Sequence, residues 1–245
     1  IYYMIIFIIN DKNMIDFSYI EKTDPELYKL LIWEQNRQKK WMELIASENY
    51  QSEAVLAMQA SHFANKYSEW FPGKRYYWWQ EFTDQMESVV IERAKNIFWS
   101  DHANVQALSW AAANICIYNW LMSPWDTILW MDLTHWWHLT HGAPVTFMSK
   151  VFNFVRYATK DWEIDFSEMR TMALEHKPKI VLAWFSAYPR NIDYGKYAEI
   201  AKEVWAIFMA DMSHIWWLIA WKALPNPLDY GAHVMMTTTH KSMRG

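Results

Sequence analysis

Apolar residues recur along this chain at two different spacings. Behind Thr23 or Asp24 as a cap, and Pro25 in a first turn, Leu27, Leu30, Leu31 and Glu34 follow at helical intervals, which predicts an α-helix. Residues 46–50 break that pattern and read as a loop. A second helix is predicted from Asp84, with Met86, Val89, Val90, Ala94, Ile97 and Phe98 on one face. Beyond it, short apolar runs at 127–131, 151–155, 180–183, 207–210 and 234–237 read as buried strands, with helical patterns at 166–175 and 194–204 between several of them. Strands alternating with helices predict an α/β fold, a mainly parallel sheet with helices on both faces. Ligands of such sheets bind beyond the carboxyl ends of the strands. There is no internal repeat or low-complexity tract. The expected organisation is a helical arm over residues 14–60 and one large α/β domain over 61–245. Residues 1–13 carry an apolar run without the basic flank or small-residue cleavage site of a signal peptide. They are expected to be a non-native upstream extension, with Met14 as the start.

Composition narrows the function classes. Lys+Arg 23 against Asp+Glu 27 gives a net charge of −4, which argues against a nucleic-acid partner. A single cysteine, Cys116, cannot close an internal disulfide and argues against a secreted scaffold. No apolar stretch has the length of a membrane span, so a cytoplasmic protein is expected. The anomaly is 18 Trp against 5 Gly in 245 residues, where an ordinary chain has about 7% Gly, or roughly 17 residues. Only Gly reaches φ > 0 without a Cβ clash, so such a chain should struggle to turn.

The chemistry-bearing residues fall just past the predicted strand ends. The run at 207–210 leads into Asp211, with His214 three residues on; the run from 234 leads through Thr238 into His240 and Lys241. A carboxylate at the end of a buried strand is costly to desolvate without a cationic partner, and a lysine among hydroxyls and a histidine is a candidate amine nucleophile. Alone, each is equally a helix-capping aspartate or a snorkelling lysine. Together they fit pyridoxal phosphate, with Lys as Schiff base and Asp on the pyridinium nitrogen. A dense cluster of tyrosines, a carboxylate and cations fills residues 67–77. His135, His138 and His141 recur every third residue, but no Cys or carboxylate completes a zinc site there. No metal is expected, and a histidine face stacked on a cofactor ring fits better.

Longer segments sharpen this reading. ELIASENY (43–50), NKYSEWFPGKRYYWW (65–79), HWWHLTHG (135–142), FSAYPR (185–190), DMSH (211–214) and TTTHKSMRG (237–245) together resemble the serine hydroxymethyltransferase family, from Asp24 to Gly245. The resemblance implies the large domain of a fold-type I pyridoxal-phosphate-dependent transferase, with a seven-stranded type of sheet. It implies that Lys241 carries pyridoxal 5′-phosphate, Asp211 holds its ring nitrogen, His138 stacks on the ring, and Ser186 and His214 bond near the ring oxygen. Thr238 would assist exchange at Lys241, and Ser109, Trp110 and Ala111 match the phosphate-binding turn. Ser47 would contact the amino-acid carboxylate. Tyr67, Glu69 and Tyr77 resemble residues that reach into a neighbouring subunit's site, so a homodimer or larger assembly is implied, with Glu69 as the proton-handling carboxylate. Leu133, Trp137, His138 and Leu139 match the folate contact region, and His240 matches a histidine tied to reaction specificity. The implied reaction moves the hydroxymethyl group of serine to tetrahydrofolate and leaves glycine. A folate-independent pyridoxal aldolase of β-hydroxy amino acids is the alternative.

Two departures from the family qualify this. The family continues past Gly245 into a small domain that supplies an arginine for the substrate carboxylate, so these 245 residues alone are not expected to turn over serine. At Trp70, Trp78, Trp79, Trp99, Trp110, Trp125, Trp130, Trp136, Trp137, Trp162, Trp184, Trp205, Trp217 and Trp221 the family usually has glycine. Trp110 is the sharpest case, since an indole there would fill the space that a phosphate needs. Some bacteria read UGA as glycine, and translating such a gene with UGA as tryptophan would write Trp at those codons. Restoring them gives nineteen glycines and four tryptophans, an ordinary composition. If the tryptophans are real, an inactive chain is expected.

Overall fold

The computed structural model describes residues 15–132, 142–144, 146–184, 186 and 188–245. The expectation for residues 1–13 lies outside them. The chain divides into two compact units, residues 1–67 with 244–245, and residues 68–243.

The first unit carries helices α1 (Ser18–Thr23), α2 (Pro25–Lys40) and α3 (Glu53–Gln59), and a single 3-10 turn at His62–Asn65. The predicted start of α2 is found: the Asp24 carboxylate accepts the Leu27 N–H at 3.0 Å, and Pro25 opens the helix. Arg37, Lys39 and Lys40 in its last turn complement the helix dipole. Its apolar positions stay in the open, with Leu27, Leu30 and Trp33 each more than half exposed. Near the chain end, Arg244 Nε donates to the Tyr50 carbonyl at 2.6 Å.

The second unit begins with α4 (Glu81–Phe98) and α5 (Trp110–Leu121). Then follow β1 (Thr127–Met131), α6 (Met148–Val151), β2 (Asn153–Tyr157), β3 (Thr159–Lys160), β4 (Glu163–Ile164), α7 (Phe166–His176) and β5 (Ile180–Trp184). It closes with α8 (Tyr194–Glu203), β6 (Ile207–Asp211), α9 (Trp216–Ala220), a 3-10 turn at Pro227–Tyr230, and β7 (Val234–Met236). The five-stranded sheet runs β2-β1-β5-β6-β7, and each of its pairings is parallel. β3 and β4 form a separate antiparallel hairpin.

Alternation along the strands builds two cores. Leu129, Met131, Val181, Ala183, Phe208 and Ala210 face one side, where Met169 and Ala173 of α7 and Tyr197, Ile200 and Ala201 of α8 cover them. Ile128, Trp130, Ile180, Leu182, Trp184 and Met209 face the other, against Trp110 and Tyr118 of α5, Met148 of α6, and Phe152. Burial on both faces explains the short apolar runs in the sequence. It also makes this the predicted α/β architecture.

Two of the predicted elements are displaced by two or three residues, and five others by one residue at one end. The strand predicted over 151–155 runs over Asn153–Tyr157, because Met148–Val151 closes a helical turn first. The helix predicted from Asp84 starts at Glu81, because the Asp84 side chain is engaged elsewhere: it accepts the Gly73 N–H at 2.8 Å and pairs with Arg75. Of its apolar face only Phe98 is buried, while Val89, Val90 and Ile97 remain exposed.

Phe208 is fully buried on β6 and stacks on Tyr197 at 5.8 Å between centroids. Phe208→Ala is expected to cost about 3–5 kcal/mol of stability, read as a lowered urea midpoint. An unchanged midpoint would contradict the packing described.

Candidate active site

β5 and β6 end in register, Trp184 beside Asp211, and Met236 of β7 pairs with Asp211 on its other side. The chain leaving β7 therefore passes the end of β6 and places Thr238 and Lys241 there. Asp211 is 5% exposed. Its Oδ1 accepts from the Ser213 N–H at 3.0 Å and the Ser213 hydroxyl at 2.6 Å. Its Oδ2 accepts from the Trp110 indole N–H at 2.6 Å. Three donors thus meet a carboxylate that burial would otherwise penalise.

Lys241 is 4% exposed, and its Nζ donates to Thr238 Oγ1 at 2.9 Å. The same Nζ lies 3.8 Å from the centroid of the Trp110 ring, a cation–π contact. Burial pulls the amine down to about 8, with Asp211 opposing. His214 sits 5.7 Å from the Trp110 ring and 6.3 Å from Trp184. Burial, and then the Lys241 charge, push it down to about 4, so it is neutral near pH 7. Burial and Lys241 likewise lower His240, which stands exposed beside the cluster.

Trp110 is the first residue of α5, whose cap is Ser109: the Ser109 hydroxyl accepts the Ala112 N–H at 3.2 Å. Ala111 follows, half-buried. The Trp110 indole leaves that turn and lies with its N–H on Asp211, its face toward Lys241, and Trp184 at 5.4 Å. The sequence puts this indole at the turn that the family resemblance assigns to a phosphate; the structure carries it further, onto Asp211 and Lys241.

Of the residues expected in the site, the structure brings together Asp211, His214, Thr238, Lys241 and Trp110. Ser186 lies half-buried two residues past β5. Glu69 and Tyr77 stand exposed in the segment before α4. Tyr67 and Ser47 belong to the first unit, Tyr67 exposed and Ser47 half-buried. Leu133, Trp137, His138 and Leu139 lie outside the described residues. Among the described residues, no group of three or more His, Cys, Asp or Glu could hold a metal ion, and no helix is long and apolar enough to cross a membrane.

Two contributors went unforeseen. Ser213 orients Asp211, and its signal was available: a hydroxyl two residues after an aspartate is a common local partner. Arg75 organises residues 68–87 with a side chain only 3% exposed. It donates to Asp84 at 2.8 Å, to Glu87 at 2.5 Å, to the Ser68 carbonyl at 2.9 Å and to the Trp70 carbonyl. Arg75 and the Gly73 N–H hold the Asp84 carboxyl below its usual range.

A parallel sheet with helices on both faces, gathering a desolvated lysine, a buried aspartate and a neutral histidine around one ring at its carboxyl edge, is the large-domain layout of fold-type I pyridoxal-phosphate proteins. The family model for serine hydroxymethyltransferase matches residues 20–245. A serine hydroxymethyltransferase of Desulfotalea psychrophila (strain LSv54 / DSM 12343) is 49% identical over 227 residues, 92% of this chain and 53% of that protein. The chain belongs to the serine hydroxymethyltransferase family, and it spans about half the length of that curated relative. The polar groups suit pyridoxal phosphate: a buried carboxylate for a protonated ring nitrogen, a low-pKa amine, and a neutral histidine. The space does not, because the Trp110 indole fills the gap between Asp211 and Lys241.

Two outcomes test this geometry. Arg75→Met should cost about 3–5 kcal/mol, because it strands two partly buried carboxylates; a loss below 1 kcal/mol, read by urea unfolding, would contradict the network. The folded amine of Lys241 titrates near 8 against an ordinary 10.5, so between those values the unfolded chain holds the extra proton. Stability should therefore rise with pH across that window. Lys241→Met should flatten the rise, and an identical pH slope in both proteins would show that the amine is not desolvated.

Proposed function

We propose that this chain is part of an enzyme that reversibly transfers the hydroxymethyl group of serine to tetrahydrofolate, giving glycine and 5,10-methylenetetrahydrofolate, with pyridoxal 5′-phosphate as cofactor. The observation that carries the reading is the meeting of Asp211 and Lys241 on a single aromatic ring at the sheet's carboxyl edge, the one at its N–H and the other over its face. Lys241 is the amine nucleophile. Its pKa near 8 leaves a usable free-base fraction at neutral pH, and Thr238 orients it. Asp211 is the acceptor for a ring N–H, fixed by Ser213. His214, neutral, offers a ring nitrogen for hydrogen bonding rather than a charge.

The remaining roles rest on the family resemblance. Ser186 serves the ring oxygen, and Ser109, residue 110 and Ala111 form the phosphate turn. His138 stacks on the ring, and His240 governs reaction specificity. Ser47 takes the substrate carboxylate. Glu69 handles the proton between substrate and folate, with Tyr67 and Tyr77 beside it in a site shared between subunits of a homodimer or larger assembly. Leu133, Trp137, His138 and Leu139 face the folate. The protein works in the cytoplasm.

One observation favours a second reading. With Trp110 in place the seat between Asp211 and Lys241 is filled, and the chain is then a non-catalytic member of its family.

The full-length gene product, purified from its own cells, tests the proposal. Glycine formation from serine should require tetrahydrofolate and disappear in Lys241→Ala. Cleavage of β-hydroxy amino acids indifferent to folate would make it an aldolase instead. Absence of any turnover would establish the non-catalytic reading.

A further inference from the structure

We infer that residues 70, 79, 99, 110, 125, 162 and 205, written as tryptophan, are glycine in the protein that its own ribosomes make. Two independent observations carry this, one from the backbone and one from packing.

Among the described residues, ten that are not glycine have positive φ, and six of them are tryptophans: Trp70 (75°), Trp79 (55°), Trp99 (52°), Trp125 (73°), Trp162 (66°) and Trp205 (59°). Tryptophan fills only 18 of 245 positions. A left-handed conformation presses Cβ against the following carbonyl, and the bulkiest side chain has no local hydrogen bond with which to offset that. Trp33, Trp41, Trp120 and Trp216 are absent from the positive-φ residues, so indoles as such do not seek this region.

The local motifs are those that select glycine. Trp99 is the left-handed cap of α4, where its own N–H and that of Ser100 both return to the Lys95 carbonyl. Trp205 stands just past α8, and the Ala206 N–H returns to the Ala201 carbonyl at 2.8 Å. Both are helix endings at which glycine is the usual residue. Asp161 and Trp162 form the two-residue loop between β3 and β4, both with positive φ. That is the geometry for which Asp-Gly is strongly preferred. Nor does burial repay the strain: Trp79, Trp125, Trp162 and Trp205 are 84%, 69%, 69% and 94% exposed.

Residue 110 is reached from packing instead. Its indole supplies the N–H that Asp211 accepts and the π-face that Lys241 approaches. Without a side chain there, the buried carboxylate and the buried amine would both lose the ring that now touches them. A genetic code in which UGA specifies glycine yields all seven substitutions from one cause.

The test reads residue masses, so it does not depend on whether the enzyme turns over serine. Peptides of the protein purified from its own cells should show glycine at 70, 79, 99, 110, 125, 162 and 205, tryptophan at 33, 41 and 120, and UGA codons at the seven. Tryptophan masses, or UGG codons, at the seven positions overturn the inference. In the recombinant chain, Trp162→Gly and Trp205→Gly should each raise the folding equilibrium constant roughly tenfold; no gain at either refutes the strain argument. Trp110→Gly should gain a visible absorption band with added pyridoxal phosphate that Lys241→Ala removes, and no band refutes the gap described.

Discussion

A carboxylate as buried as that of Asp211 has to be given donors, and much of the second unit is arranged to supply them. β6 lies between β5 and β7, so the end of its chain is flanked on both sides before any side chain is considered. Ser213 turns back on one oxygen through both its N–H and its hydroxyl. The other oxygen points into the space between the sheet edge and α5 and takes whatever N–H is presented there, in this chain the Trp110 indole. A charge left in that position without partners would cost several kcal/mol. The need is thus for an N–H donor at that point, and the sheet fixes where that donor must lie.

The charge balance of the pocket follows from the same burial. Among the described residues Lys241 and His214 interact with Asp211, and burial with the Lys241 charge lowers both His214 and the neighbouring His240. Among the described residues Lys241 is left to compensate the carboxylate, and burial softens even that charge. An amine that half releases its proton near pH 8 suits a group meant to react as well as to pair.

The parts of this protein legible in its sequence are those set by short-range rules. Strands buried in the sheet announce themselves as short apolar runs, and Asp211 and Lys241 stand out as charges within four residues of the ends of such runs. Asp24 and Pro25 mark a helix start by chemistry that acts within four residues. What escaped depends on partners far along the chain. Asp84 reads as a helix start until Arg75 and the Gly73 N–H claim it. Arg75 itself reads as one cation in a polar cluster until Asp84, Glu87 and two carbonyls close around it. Ser47 became a candidate through family resemblance alone, and Tyr67, Glu69 and Tyr77 stood out only as part of a polar, aromatic cluster until the resemblance gave them roles, because no local pattern marks a residue that serves a site elsewhere. Trp110 was visible as an obstacle, but only the fold shows that its indole reaches past the helix turn to the aspartate.

The strand order also has a consequence for how the chain is made. Read from β2 across to β7, the sheet is assembled from a first pair, β1 and β2, to which β5, β6 and β7 are added in the order in which they are synthesised. No later strand has to pry apart two that are already joined. A chain emerging from its amino terminus can therefore extend the sheet at one edge, each new strand finding a finished neighbour. Lys241 follows the end of β7 by five residues. The Lys241 amine joins the Asp211 carboxylate only after β1, β2, β5, β6 and β7 have all been made.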